Sequence, residues 1–256
     1  TCLVYSCAHA HPEVSNERFT WLGDFIEDLK PDYVVDLGDG ADMQSLNSFD
    51  TRNPKAIVAQ SYQADIEAYN DAQDRIWSRY KLTKKKRPWR VGLAGNHEER
   101  INKAVTLDPR LEGAKYGISF SHLQTDHWFD EYHPYKNGGP AIVNLDGVSY
   151  AHFFSSGNFG SATSGLHHAY SLIQNRHNSS VCGHSHKRSL YFKDEAYPNP
   201  SIGMVVGCYK GAEEPWAGQA QNSWWRGVVV MRDVSSGNFD PEFVSMKRLE
   251  KQYGAC

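Results

Sequence analysis

Tyr33-Val34-Val35-Asp36-Leu37-Gly38-Asp39-Gly40-Ala41-Asp42 is the stretch on which the fold turns. Its first half is a short apolar run, the pattern of a buried strand in a parallel sheet. Two glycines and two aspartates then stand where that strand should end. Ligand-binding and catalytic groups in open α/β sheets collect outside the carboxyl ends of strands. Gly38 and Gly40 allow a sharp turn and the close approach of another group. Asp39 is then a carboxylate at a strand tip, with two oxygens that could serve two cations. Taken alone, Gly-Asp at a strand end is more often an ordinary turn. The rest of the chain decides the matter.

Upstream, Cys2 to Ser6 reads as a strand, and Pro12 ends the segment Cys7-Ala8-His9-Ala10-His11. Ser15 is an expected N-cap. Phe19, Leu22, Phe25, Ile26 and Leu29 follow at helical spacing, and Pro31 stops that helix. This is a strand–helix–strand unit, so the two strands should be parallel with both tips at one edge. Downstream, Ser45 to Ala59 reads as a loop. Tyr62, Ile66, Tyr69, Ile76, Trp77 and Tyr80 mark an amphipathic helix over about Ser61 to Tyr80. Lys84-Lys85-Lys86-Arg87 reads first as a solvated charged turn and second as a phosphate-backbone patch.

Val91 to Ala94 is a third strand, tipped by Gly95-Asn96-His97-Glu98-Glu99-Arg100. The two glutamates suit the positive end of a following helix. Asp108 to Gly139 reads as a loop-rich excursion. Ala141 to Leu145 and Val148 to Ala151 form a hairpin around Asp146-Gly147, which ends at His152. A Gly/Ser-rich rim over Phe153 to Gly165, a helix near His167 to Gln174 and the strand Ser180 to Cys182 lead to Gly183-His184-Ser185-His186. Apolar runs at Met204–Cys208, Val228–Met231 and Phe243–Met246 are expected to close a second sheet.

The chain has 256 residues, 40% of them hydrophobic, and a mean hydropathy of -0.61. That fits one soluble globular domain over residues 1–256, with no membrane span and no signal-peptide pattern. The start at Thr1 suggests that a leading methionine or a few residues precede this numbering. A net charge of -3 argues against a protein that coats nucleic acid. Five cysteines without framework spacing point to a reducing, cytoplasmic compartment. The unusual count is the 12 histidines. Five strand tips carry donors: Cys7 with His9, Asp39, Asn96 with His97, His152, and His184 with His186. Each alone is dull; all five at tips, several beside a glycine, are not.

Cys7-Ala8-His9, Gly38-Asp39-Gly40-Ala41-Asp42, Gly95-Asn96-His97-Glu98, His152 and Gly183-His184-Ser185-His186 together resemble the calcineurin-like metallophosphoesterases. That pattern runs Asp-x-His, Gly-Asp-x-x-Asp, Gly-Asn-His-Asp/Glu, a lone His and Gly-His-x-His. Phage- and prophage-encoded members look similar in finer style at His9 to Glu13, Leu107 to Gly113 and Trp224 to Gly227. The resemblance implies a four-layer α/β/β/α sandwich of two mixed sheets. It implies one ion on Cys7, His9, Asp39 and His186, and another on Asp39, Asn96, His152 and His184, with Asp39 bridging. Such a pair shares a hydroxide that attacks phosphorus. His97 would protonate the leaving oxygen or steady the developing charge. Asp42 would orient a ligand histidine or His97. Arg100 or His11 could touch the substrate phosphate, or be surface groups.

Mixed His, Asp and Asn donors suit Zn, Mn or Fe. Cys7 departs from the pattern, which has aspartate there. As a thiolate ligand it would shift its ion towards Zn or Fe; as a spectator it would leave that ion weak or absent. The implied function is a dinuclear-metal phosphoesterase acting on phosphomono- or phosphodiesters, with a small phosphorylated substrate as partner. The alternatives are a nuclease acting on DNA or RNA, and a non-catalytic binding module on the same fold.

Overall fold

The computed structural model describes residues 1–47, 61–82, 87–157, 160–194, 201–211 and 215–254. Residues 48–59 of the expected loop, Lys84 to Lys86 of the basic run and residues 158–159 of the rim lie outside them.

β1 (Cys2–Tyr5), α1 (Glu17–Leu29) and β2 (Tyr33–Asp36) form the strand–helix–strand unit, with Tyr5 opposite Asp36 in a parallel pair. α1 buries Phe19, Leu22 and Ile26 and ends where Lys30 turns left-handed ahead of Pro31. Its start falls one residue later than expected. Ser15 Oγ accepts the Glu17 amide at 3.2 Å, but the N-cap position belongs to Asn16. The Asn16 side chain instead donates to Ala68 O and Asp71 on α2 (Tyr62–Leu82), tying the two helices together.

β3 (Trp89–Leu93) continues the parallel run, and α3 (Glu99–Leu107) leaves its tip. The 108–139 excursion holds one turn of helix, α4 (Thr125–Trp128), and a short strand, β4 (Glu131–His133), which extends the sheet beside β3. β5 (Val143–Leu145) and β6 (Val148–Ala151) form the expected hairpin. Asp146 and Gly147 both take positive φ, 51° and 83°, as a tight two-residue turn needs. The rim folds into a small ribbon, β7 (Ser155–Ser156) with β8 (Ser161–Ala162). Then come α5 (His168–Arg176), β9 (Ser180–Cys182), β10 (Arg188–Lys193) and β11 (Ser201–Val206).

The C-terminal runs do not all close the second sheet. β11 does, but β12 (Gly227–Ser235) and β13 (Asn238–Ser245) fold back onto the first, with β12 antiparallel to β1. β12 is apolar on both faces. Val228 and Val230 pack with the helices, while Val229 and Met231 pack between the sheets. A strand of that kind needs an interior position. Met246 does not extend a strand; it opens α6 (Met246–Tyr253), with Ser245 Oγ accepting the Arg248 amide.

The two mixed sheets run β13-β12-β1-β2-β3-β4 and β10-β11-β9-β6-β5. Alternation along β1 sorts the core. Leu3 and Tyr5 pack with Phe19, Leu22 and Ile76 of α1 and α2. Cys2 and Val4 pack with Val148, Tyr150 and Val181 of the other sheet. Cys182 and Val205 pack with Ala169 and Leu172 of α5. The class is therefore mixed α/β, with the sheets face to face and helices outside. Among the described residues no helix is long and apolar enough to cross a membrane.

Candidate metal centre

Parallel pairing sets the tips of β1, β2 and β3 side by side. The Cys7–Ala10 segment then runs along the Gly38–Asp42 loop, with Cys7 N donating to Gly38 O and His9 N to Asp39 O, both at 2.9 Å. In the other sheet β6 and β9 end together, with Ala151 opposite Cys182 and Gly183 N donating to His152 O. The two edges meet. His184 N donates to Cys7 Sγ at 3.2 Å, and a Cβ on Gly183 would lie 1.9 Å from Ser6 Oγ. A Cβ on Gly95 would lie 2.1 Å from Asp39 Oδ1, so only glycine lets the second and third tips close.

This convergence gathers the expected donors. His152 Nε2 lies 3.1 Å from Asp39 Oδ2, from Asn96 Oδ1 and from His184 Nδ1. His152 Nδ1 is 2.9 Å from Leu37 O, an acceptor only, so Nδ1 carries the hydrogen and Nε2 is a lone-pair donor in the neutral ring. Atoms bonded to one ion at about 2.0–2.2 Å sit roughly 3 Å apart. The 3.1 Å spacing around His152 fits donors that share an ion as well as it fits hydrogen bonds.

On the other side, the ligand atoms of Cys7, His9 and His186 lie within 4.8 Å of one another, as do those of Cys7, Asp39 and His152. His9 Nε2 is buried without a hydrogen-bond partner and faces Asp39 Oδ2 at 4.0 Å. A buried ring nitrogen left in that state needs an explanation, and a cation supplies one. Asp42 Oδ1 lies 3.1 Å from both His9 Nδ1 and His97 Nδ1. These buried Cys, His and Asp groups can hold a metal ion.

The electrostatics suit that role. Burial, then the nearby Lys210 and His97, push His9 well below the usual histidine range. Burial brings His184 to about 4 and His186 to about 3. All three rings are then neutral near pH 7, the form in which an imidazole can bind a cation. Burial alone would raise Asp39, but His152 and His97 overcome it and hold the carboxylate ionised. Asp42 is likewise held down, mainly by hydrogen bonds from His9 and His97. His152 goes up because Asp39 outweighs its burial. Burial and Asp39 raise the Cys7 thiol, so only a bound cation would make it a thiolate.

Several residues here take roles that the sequence did not assign them. Glu98 does not serve its helix. Its Oε2 accepts the amides of Asp39 (3.0 Å) and Gly95 (2.8 Å), and its Oε1 accepts that of Ala41 (2.9 Å). Arg18, only 3% exposed, donates to Ala8 O and His9 O and braces the first tip. Trp224 sets its ring edge-on to His186 at 4.5 Å. Arg100 reaches His97 Nε2 at 3.2 Å, whereas His11 turns to Gln44. No model of a known protein family matches the chain, and no curated protein matches it.

Proposed function

We propose that the chain is a metal-dependent phosphoesterase built on the four-layer α/β/β/α sandwich of the calcineurin-like metallophosphoesterases. The observation that carries this reading is the set of acceptors around His152 Nε2, each at 3.1 Å, beside the unpartnered Nε2 of His9. Cys7, His9, Asp39 and His186 would hold one cation and Asp39, Asn96, His152 and His184 a second. The donor chemistry suits Zn, Mn or Fe. Such a pair lowers the pKa of water and neutralises phosphoryl oxygens.

The chain's own groups do the rest. Asp42 holds the rings of His9 and His97 in place. His97 donates its backbone amide to Asp39 Oδ1 at 2.9 Å, which fixes the direction of that carboxylate. His97 also borders the centre, edge-on to His9 with ring centroids 4.4 Å apart. Phosphate esters are the substrate class this arrangement favours. The nuclease alternative gains nothing from Arg87, which is engaged by Asp130 at 2.7 Å.

The test is hydrolysis of p-nitrophenyl phosphate and bis-p-nitrophenyl phosphate by protein of measured metal content. Activity should require metal and should fall by about 10²-fold or more in Asp39→Ala and His97→Ala. A metal-loaded protein inert on both esters would remove the proposal.

A further inference from the structure

Between the turn that follows the first tip and the first half of α2 lies a cavity of about 320 Å³, at the small end of the range for ligand sites. Its lining is of two kinds. Pro12 and Val14 from the turn and Ala64 and Ala68 from α2 are apolar. Glu67 and Asp71, one helical turn apart, add two carboxylates from α2. His11 and Asn16 complete the other side. His11 has little left to offer a ligand: one ring nitrogen meets Gln44 Oε1 at 2.6 Å, and the other takes the Glu13 amide at 3.1 Å. Asn16 is different. It is only 9% exposed, and its Nδ2 is spent on Ala68 O at 2.8 Å and Asp71 Oδ2 at 2.9 Å. Its Oδ1 is buried and has no partner. A buried acceptor in that state asks for a donor. The carboxylates also have oxygens to spare. Glu67 uses Oε1 on Gln63, and Asp71 uses Oδ2 on Asn16 and Arg75, while Oε2 and Oδ1 take no hydrogen bond from a described residue. Among the described residues no lysine or arginine lines the cavity. Every open polar group is therefore an acceptor, and two of the three are charged. A phosphate would find no donor here. A metal ion would meet apolar wall where it needs a shell of oxygens.

We propose that this cavity is a binding site for an aliphatic ammonium group. Its N–H donors meet Glu67, Asp71 and the orphaned oxygen of Asn16, and its methylene stem lies on Pro12, Val14, Ala64 and Ala68. An ammonium carries three donors and no acceptor, which matches three open acceptors. Bonds from it to a carboxylate are about twice as strong as neutral ones. Such a group has two sources. It is either a free amine or the amino-alcohol end of a phosphate ester, since His11 at the cavity stands two residues past His9 of the candidate metal centre. The recognition chemistry is the same for both, and the experiment separates them.

The experiment is an amide NMR titration of the whole chain with 1,4-diaminobutane. The amides of Val14, Asn16, Ala64 and Ala68 should shift and saturate with a Kd of about 1 mM or tighter, the range open to a ligand of that size. 1,4-Butanediol, of equal length without charge, and tetramethylammonium, charged without N–H, should each bind at least about 10-fold more weakly. Glu67→Gln should weaken the diamine by about 10-fold. Ala64→Leu fills the cavity and removes no charge; it should abolish the saturable shifts, and an otherwise unchanged amide spectrum shows its fold intact. Glu17→Gln, an acid of α1 outside the cavity, should bind as wild type does. A wild type without saturable shifts overturns the proposal. So do Glu67→Gln and Ala64→Leu proteins that bind like wild type, and so does butanediol binding as tightly as the diamine. Hydrolysis of O-phosphoethanolamine by metal-loaded protein identifies the source. If Glu67→Gln raises KM for it and not for p-nitrophenyl phosphate, the ammonium is the substrate's own; if neither KM moves, the site takes a free amine. The shifts are read without turnover, so a protein inert on phosphate esters removes the phosphoesterase reading and leaves this site standing.

Discussion

Cys7 is where the chain parts from the aspartate its neighbours lead one to expect, and its setting is that of a ligand. It is fully buried, it takes a hydrogen bond from the His184 amide, and it shares a 4.8 Å cluster with His9 and His186. It also stands in left-handed backbone, φ 51°, together with His9 (45°), Asp39 (55°), His184 (65°) and His186 (58°). Each such residue costs about 1–3 kcal/mol unless the surroundings enforce it. Five in one small volume mean that the packed tips together enforce this backbone. Cys7→Ser should therefore weaken one ion by at least the 10–100-fold typical of disturbing a metal site. Metal titration by calorimetry measures this. A cobalt-loaded wild type should add a sulfur-to-metal absorption in the near ultraviolet that the variant lacks. Identical stoichiometry, affinity and spectrum in the two proteins would make Cys7 a bystander.

At the scale of elements, Glu98 shows how tips are fastened to one another. One carboxylate takes three amides from the tips of β2 and β3. Its burial, then Asp39 beside it, raises its pKa, so those amides matter for keeping it charged. Glu98→Gln keeps the shape but turns an NH2 group towards at least one of the amides. An amide left unsatisfied in that way costs about 1–3 kcal/mol. Urea unfolding of the metal-free variant should register the loss, and an unchanged midpoint would show that the three bonds contribute nothing. The sequence disguised this role, because a glutamate before a helix looks like ordinary dipole chemistry. The strand–helix–strand unit, the Asp146-Gly147 hairpin and the donor-bearing tips were legible, since periodicity and turn chemistry are local. Glu131–His133 was not: three residues are too few to show alternation. The placing of β12 beside β1 was not legible either. Its apolar run announces burial on both faces, but partner choice is a long-range matter. Nothing in the local pattern marks Arg18, and Arg100 reads equally as a phosphate contact or a surface group; the fold sets both against the tips.

For the whole molecule, the important fact is that the donors come from both sheets. Cys7, His9, Asp39 and Asn96 follow β1, β2 and β3, whereas His152, His184 and His186 follow β6 and β9. A cation seated among them would join the two sheets at one edge, where the intersheet core of Val4, Val35 and Val181 gives way to polar side chains. The unfolded chain cannot reproduce that arrangement, so binding free energy becomes folding free energy. At a free metal concentration 100 times Kd, the gain is about 2.7 kcal/mol per ion. For a chain of this size each kcal/mol moves Tm by about 2–4 °C, so one ion should be worth roughly 5–10 °C. Chelation should lower Tm by that amount, and adding back zinc or manganese should restore it. His152→Ala and His9→Ala should each blunt the response. Amide exchange at Gly38, Gly95 and Gly183 should slow on metal addition, since these three amides sit where the sheets are joined. A melting curve indifferent to both chelator and metal, with unchanged exchange at those glycines, would show that the gathered side chains hold no ion.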